Sequence, residues 1–254
     1  MCAPFCTLYV LYALSDRLCA AHPGVAFESC SGGGCGWIGP GILSRADQVW
    51  TSDDTDPRDR LAVRHGFSRS RSARVMAAWV TGSSDTRLDG RVGSLRLRFV
   101  SAMAGVLGVG GDLSGRTAGS RPRRGSGSVS TRGAVPWCGT ATSTGCGPPE
   151  GRPSTVQYVR ENQSVVLVWL QGQRFGEPAP ALRRCAVDPA AVYECRERVE
   201  VHRNAVLLHH GSCTGMRGGL DVSVIRLRRI WEFCPNWILH SNSLWNKGLW
   251  GHVT

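Results

Sequence analysis

The sequence predicts an α/β unit followed by an all-β unit, and three observations carry that reading. Up to about residue 113, short apolar runs alternate with helix-like stretches, as in parallel α/β folds. Between residues 114 and 154 the composition turns to Ser, Gly and Arg. From residue 155 to 230, β-rich runs follow one another with only turn residues between them. A chain of 254 residues has enough apolar side chains for a sizeable core.

The first segment, "LYVLYALSDRLCAAHPG", spaces Leu8, Leu11, Leu14 and Leu18 with Tyr12 at near-helical intervals, and Pro23-Gly24 ends it. It lacks a basic start, so it reads as an amphipathic helix and not as a targeting peptide. Four strand-like runs follow. "VAFESC" (25–30) opens into the glycine loop "SGGGCG", and "ADQVWTSD" (46–53) leads into a capped helix. "RVMAAWVTG" (74–82) and "VLGVGGD" (106–112) complete the set. Residues 114–154, with "SGRTAGSRPRRGSGSVSTRG", have almost no apolar periodicity and read as disordered. Order returns at "TVQYVREN" and "SVVLVWLQG", separated by the turn residues Glu161 to Gln163. "AVYECRERVEV", "AVLLHHG" and "DVSVIRLRRI" continue a small antiparallel sheet or sandwich. The tail 231–254 holds four tryptophans without period and is left irregular.

Composition narrows the function classes. The formal charge of +11 suggests nucleic acid at first. Only Lys247 among the thirty basic residues is lysine, however, and the arginines are scattered, as a GC-rich coding sequence produces. Specific nucleic-acid binding is not expected. No run of about 20 apolar residues spans a membrane. The eleven cysteines include no CxxC pair, which fits neither a zinc ribbon nor a secreted disulfide scaffold. "HHGSC" (His209, His210, Cys213) has no second ligand pair at finger spacing and reads as a polar turn. The expectation is a cytoplasmic protein with reduced thiols, no metal and no cofactor.

The chemistry concentrates in "QVWTSDDTD" (48–56). Asp56 before Pro57, with Asp59 in the first turn, reads as a helix N-terminus. A calcium loop would need alternating oxygen ligands, a glycine and a distal glutamate, which are missing. Capping leaves Asp53 unexplained. It ends an apolar strand, and a carboxylate at the C-terminal end of a strand is where barrel enzymes hold their catalytic groups.

The runs "HPGVAFESCSGGG", "GILSRADQVWTSDDTDPRDRLAVRHGFS", "ARVMAAWVT" and "SAMAGVLGVGGDLS" together resemble the bacterial alpha-galactosidases of glycoside hydrolase family 36. "STVQYVRENQSVVLVWLQGQRFG", "AVDPAAVY" and "AVLLHHG" are similar to that family's C-terminal β-domain. The resemblance covers roughly residues 8–112 and 150–230. It implies that residues 7–113 are the C-terminal half of a (β/α)8 TIM barrel and residues 155–230 a small antiparallel β-sandwich. It further implies that Asp53 is the general acid/base, that Cys30 with Gly32 and Gly33 contacts substrate, and that Trp50 is a weaker candidate for sugar contact. The implied partners are a galactoside and, in the intact enzyme, a homo-oligomer.

The resemblance has gaps. The family's nucleophile lies in a Lys-Trp-Asp-x-Asn-Arg motif that occurs nowhere in this chain, so the chain alone is expected not to hydrolyse galactosides. A half-barrel would leave two sheet edges open, and aggregation or molten behaviour is expected for it. After "SGGG" the text runs "CGWIGP", without the arginine and aspartate found there in the family. Matching blocks interrupted by Arg/Gly-rich ones are what reading-frame slips in GC-rich DNA produce. The alternative is a β-domain that binds carbohydrate or protein without catalysis. Sequencing the coding DNA and its upstream flank tests this. In neighbouring frames across Cys35 to Arg45, Ser114 to Pro149 and the flank, the missing Arg, Asp and Lys-Trp-Asp are expected. Their absence from every frame would contradict the frameshift reading.

Overall fold

A computed structural model describes residues 3–30, 40–81, 93–110, 142–145, 151–172, 181–182, 191–197, 200–203, 212–213, 216 and 221–230. The chain opens with helix α1 (Ala3–Ala21) and then alternates strand and helix. The order is β1 (Glu28–Ser29), α2 (Pro40–Leu43), β2 (Gln48–Trp50), α3 (Asp59–Ser68), β3 (Met76–Val80), α4 (Leu95–Ala102) and β4 (Val106–Val109). All three pairings among β1 to β4 are parallel, and the strands lie side by side in chain order. Such winding needs each helix to cross back over the same sheet face.

Strand β3 shows why. Met76, Ala78 and Val80 point to one face and pack with Phe67 of α3 and Ala102 of α4. Trp50, Ala77 and Trp79 share the opposite face, because Trp50 stands in register with Ala77. Helix α4 starts at Ser94, whose hydroxyl accepts from the Leu97 amide at 3.1 Å.

Helix α1 forms where its spacing predicts, but its leucine stripe is not a core face. Leu11, Leu14 and Leu18 are exposed, as are Tyr9 and Val10. The helix is held instead through Tyr12 and Asp16. The Arg45 guanidinium lies 4.6 Å from the Tyr12 ring centroid and pairs with Asp16 at 2.7 Å. Gly41 sits against the same ring, where a Cβ would come within 2.9 Å.

Beyond β4 the described strands are antiparallel. A six-stranded sheet has the order β10-β9-β12-β7-β6-β5. Its members are β5 (Thr142–Gly145), β6 (Ser154–Arg160), β7 (Gln163–Leu170), β9 (Val192–Cys195), β10 (Glu200–Arg203) and β12 (Asp221–Ile230). A separate ladder joins β8 (Ala181–Leu182) to β11 (Ser212–Cys213). The β6–β7 hairpin turns through Glu161 and Asn162, with Glu161 in the left-handed region at φ 51°. Strand β5 corrects the disordered reading of residues 114–154 at four positions, since Thr142–Gly145 pairs with Val156–Val159 of β6. Ser and Thr with no apolar period hide a strand whose hydrogen bonds come from a neighbour twelve residues on. Ser154, the last residue of that segment, is likewise ordered as the first residue of β6. "AVLLHHG", the tail 231–254 and residues 114–141 and 146–150 lie outside the described residues.

The two sheets share one core. Val165, Leu167 and Trp169 of β7, with Val156 and Tyr158 of β6, pack against Leu61, Leu97, Val100, Met103 and Ala104. The alternate residues Val166, Val168 and Leu170 face a second cluster with Tyr193, Cys195, Met216, Ile225 and Leu227. Both faces of β7 are therefore buried, which explains the unbroken apolar run "SVVLVWL". Two buried hydrogen bonds stitch the layers: the Tyr158 hydroxyl donates to the Ala104 carbonyl at 2.5 Å, and the Trp169 indole N–H to the Ser101 hydroxyl at 3.0 Å. Trp169→Ala is expected to cost about 3–5 kcal/mol, and Trp169→Phe, which keeps most of the packing, about 1–2 kcal/mol. Urea titration reads both, and an unchanged midpoint for Trp169→Ala would contradict a shared core.

Candidate functional site

The loop 51–57 at the C-terminal end of β2 is built from its own polar side chains. Ser52 Oγ accepts from the Asp54 amide at 3.1 Å, and Asp54 Oδ1 accepts from the Asp56 amide at 2.9 Å. Asp56 Oδ1 then accepts from the amides of Arg58 at 2.8 Å and Asp59 at 3.3 Å, while the Asp56 carbonyl accepts from the Arg60 amide. Asp56 is thus the working cap of α3 and is buried. Each short side chain turns the backbone for the next. The loop is also tied outward. Thr81, just past β3, donates from its hydroxyl to that of Thr55 at 3.0 Å, and Ser101 Oγ donates to the Pro57 carbonyl at 2.8 Å.

Asp53 accepts from none of the loop's backbone amides. It is exposed, and its Oδ1 accepts from the Trp50 indole N–H at 2.7 Å. Trp50 meets Trp79 edge to face, with ring centroids 5.7 Å apart. Behind Trp50 lies the guanidinium of Arg60, 5.9 Å from its ring centroid. Arg60 is buried, and desolvation pushes its pKa down while the Asp54 carboxylate opposes that shift. Trp79 lies along β4, where a Cβ on Gly108 would fall 2.6 Å from its ring and one on Gly110 2.8 Å.

Among the residues expected from sequence, Asp53 and Trp50 are therefore in contact. Cys30 follows β1, the neighbour of β2, with an exposed free thiol. Gly32 and Gly33 lie outside the described residues. Two residues escaped the sequence reading. Trp79 was legible only as part of the strand "MAAWVT", although the alternate glycines of "GVG" in the next strand run were a sign of a large side chain lying across β4. Ser101 gave no signal at all, because a serine within a helix is ordinary until its neighbours are known.

Two cavities lie away from Asp53. One of about 410 Å³ includes Thr51, Phe67 and Arg71 in its lining, and one of about 530 Å³ includes Cys19, His22, Arg45 and Arg74. Among the described residues no group of three or more His, Cys, Asp or Glu side chains is placed to hold a metal. None of the described helices is long and apolar enough to cross a membrane.

Fold and site together define a mixed α/β protein with parallel and antiparallel sheets and a carboxylate loop at the C-terminal edge of the parallel one. Residues 3–121 match the sequence profile of the Melibiase family. Alpha-galactosidase AgaA of Geobacillus stearothermophilus is 40% identical over 103 residues, 41% of this chain and 14% of that protein. The bifunctional alpha-galactosidase/sucrose kinase AgaSK of Mediterraneibacter gnavus is 39% identical over 102 residues, 39% of this chain and 11% of that protein. Solved structures extend the likeness further along the chain. A variant of the GH36 enzyme AgaA from G. stearothermophilus in complex with raffinose superposes with a TM-score of 0.76 at 26% identity, over 87% of this chain and 31% of that one. The galactosidase domain of AgaSK gives a TM-score of 0.77 at 23% identity, a likeness of fold. The likeness to the GH36 alpha-galactosidases is that of a segment, and the chain spans about 14% of the length of its curated relative AgaA.

The two aspartates at the ends of the loop are expected to separate by substitution. Asp56→Ala removes the α3 cap and is expected to lower stability by about 1–2 kcal/mol. Asp53→Ala, at an exposed carboxylate, is expected to stay within about 0.5 kcal/mol of the parent. Chemical denaturation of both variants measures the difference, and equal losses would contradict the division of roles.

Proposed function

We propose that this chain is a portion of an alpha-galactosidase-type retaining glycoside hydrolase in which Asp53 is the general acid/base. In this reading the four parallel strands of residues 7–113 are the C-terminal half of a (β/α)8 barrel, and residues 155–230 are its β-sandwich companion. The observation that carries the proposal is Asp53 itself. It is an exposed carboxylate in a loop where Ser52, Asp54 and Asp56 hold backbone amides, it accepts from the Trp50 indole, and it stands at the C-terminal end of a parallel strand.

Retaining hydrolysis proceeds by attack of one carboxylate on the anomeric carbon while a second, about 5–5.5 Å away, protonates the departing glycosidic oxygen. Asp53 would give that proton and later take one from the water that releases the sugar. The Trp50 N–H donates to Asp53 Oδ1 and orients the carboxyl, leaving Oδ2 to face the leaving oxygen. Cys30, with Gly32 and Gly33, would contact the bound galactoside from the neighbouring strand end, where glycine lets a hydroxyl approach backbone. Trp50 would line the sugar with its ring. The GH36 relative in complex with raffinose supports an alpha-galactoside substrate. The nucleophile has no counterpart in this sequence, so the chain by itself is proposed to be inactive. A cytoplasmic setting and homo-oligomeric assembly remain part of the proposal.

The rival reading, a β-domain that works alone as a binding module, is disfavoured by the core it shares with α3 and α4. Raffinose hydrolysis is the test, measured for the chain alone and after co-expression with a polypeptide carrying the Lys-Trp-Asp half of a GH36 relative. The chain alone is expected to be silent and the pair active. In the pair, Asp53→Ala is expected to lower kcat by about a thousandfold or more. Activity that survives this substitution would refute the assignment.

A further inference from the structure

We propose that Trp79 is a sugar-stacking wall of this site, taking the C–H face of a neutral pyranoside whose leaving oxygen is turned toward Asp53. The inference rests on the glycosidase reading above and adds to it a residue that neither motif nor resemblance assigned.

Burial within β3 is the first observation. Met76, Ala77, Ala78 and Val80 are at most 3% exposed, yet Trp79 between them is 38% exposed. A large aromatic left open in the middle of a buried strand is an unusual arrangement for packing alone. The helix-facing residues of β3 make the core with Phe67 and Ala102, and Trp79 points the other way.

The second observation is how firmly the ring is seated. Gly108 of β4 and Gly110 just past its end lie under Trp79, and a Cβ at either would come within 3 Å of the indole. Backbone therefore supports one side of the ring and fixes its position, while the remaining surface stays open. Trp50 braces it edge to face at 5.7 Å, and the same Trp50 hydrogen-bonds Asp53. An exposed indole and an exposed carboxylate thus lie one ring apart, joined through Trp50.

The chemistry of that space selects its occupant. A π face carries negative potential and accepts weakly positive C–H groups, which a pyranose ring presents together on one side. The hydroxyls around the ring are donors for carboxylate oxygens. A pre-seated aromatic loses little conformational entropy on binding, so stacking gives net affinity.

The test is binding of methyl α-galactoside to the full chain by calorimetry, with thermal midpoints measured alongside. The parent is expected to bind. Trp79→Ala is expected to weaken binding by about tenfold, and Trp79→Phe, which keeps a π face, to restore most of it. Gly108→Ala displaces the ring and should weaken binding while leaving the indole present. No binding by the parent, or equal binding by Trp79→Ala, would overturn the proposal. If Trp79→Ala weakens binding but Asp53→Ala leaves hydrolysis intact in the co-expressed pair, the wall stands and the catalytic assignment falls.

Discussion

The joint on which the structure turns is the buried hydroxyl of Ser101. It donates to the carbonyl of Pro57, at the end of the carboxylate loop, and accepts from the indole of Trp169, in the middle of the antiparallel sheet. One oxygen thereby links the α/β layer, the β-layer and the loop that presents Asp53. In a dry core a hydrogen bond is strong and an unmade one costly, so the three elements have one satisfactory arrangement. Apolar packing around the joint supplies the bulk of the attraction, while the polar contacts set the register between layers.

The loop itself illustrates how short polar side chains divide labour. Ser52, Asp54 and Asp56 each bend backbone toward the next residue, and Asp56 also caps α3. Thr55 is drawn to Thr81 at the end of the adjacent strand. With these groups committed, Asp53 is left to Trp50 and to solvent. Clustered carboxylates would repel one another if all faced one space. Distributing them between capping and exposure, with Arg60 beneath, relieves that repulsion.

The aromatic pair above the sheet depends on a different constraint. Trp79 can lie across β4 only because Gly108 and Gly110 have no side chain, and Trp50 can meet it only because β2 and β3 pair with Trp50 opposite Ala77. The strand ends, the glycine track and the register act together. A charge-poor exposed aromatic surface beside a carboxylate follows from that geometry and not from the composition, whose excess of arginine points toward polyanions.

Much of this was legible from residues alone. The strand runs, the Asp56 cap before Pro57, the β6–β7 hairpin and the long final strand follow from periodicity and turn chemistry, which act over a few residues. The isolation of Asp53 from the cap was readable too, because it ends an apolar run. Other features needed the folded chain. The leucine stripe of α1 promised a buried face, but burial depends on what lies opposite, and Leu11, Leu14 and Leu18 are exposed. Strand β5 has no apolar signature, since its stability is borrowed from β6. Trp79 and Ser101 carry no local signal of their roles, because each is defined by residues at least twenty-five positions away. Local propensity and short-range capping are written in the order of residues; the meeting of Trp50 with Trp79, and of Ser101 with Trp169, is decided only when distant segments close on one another.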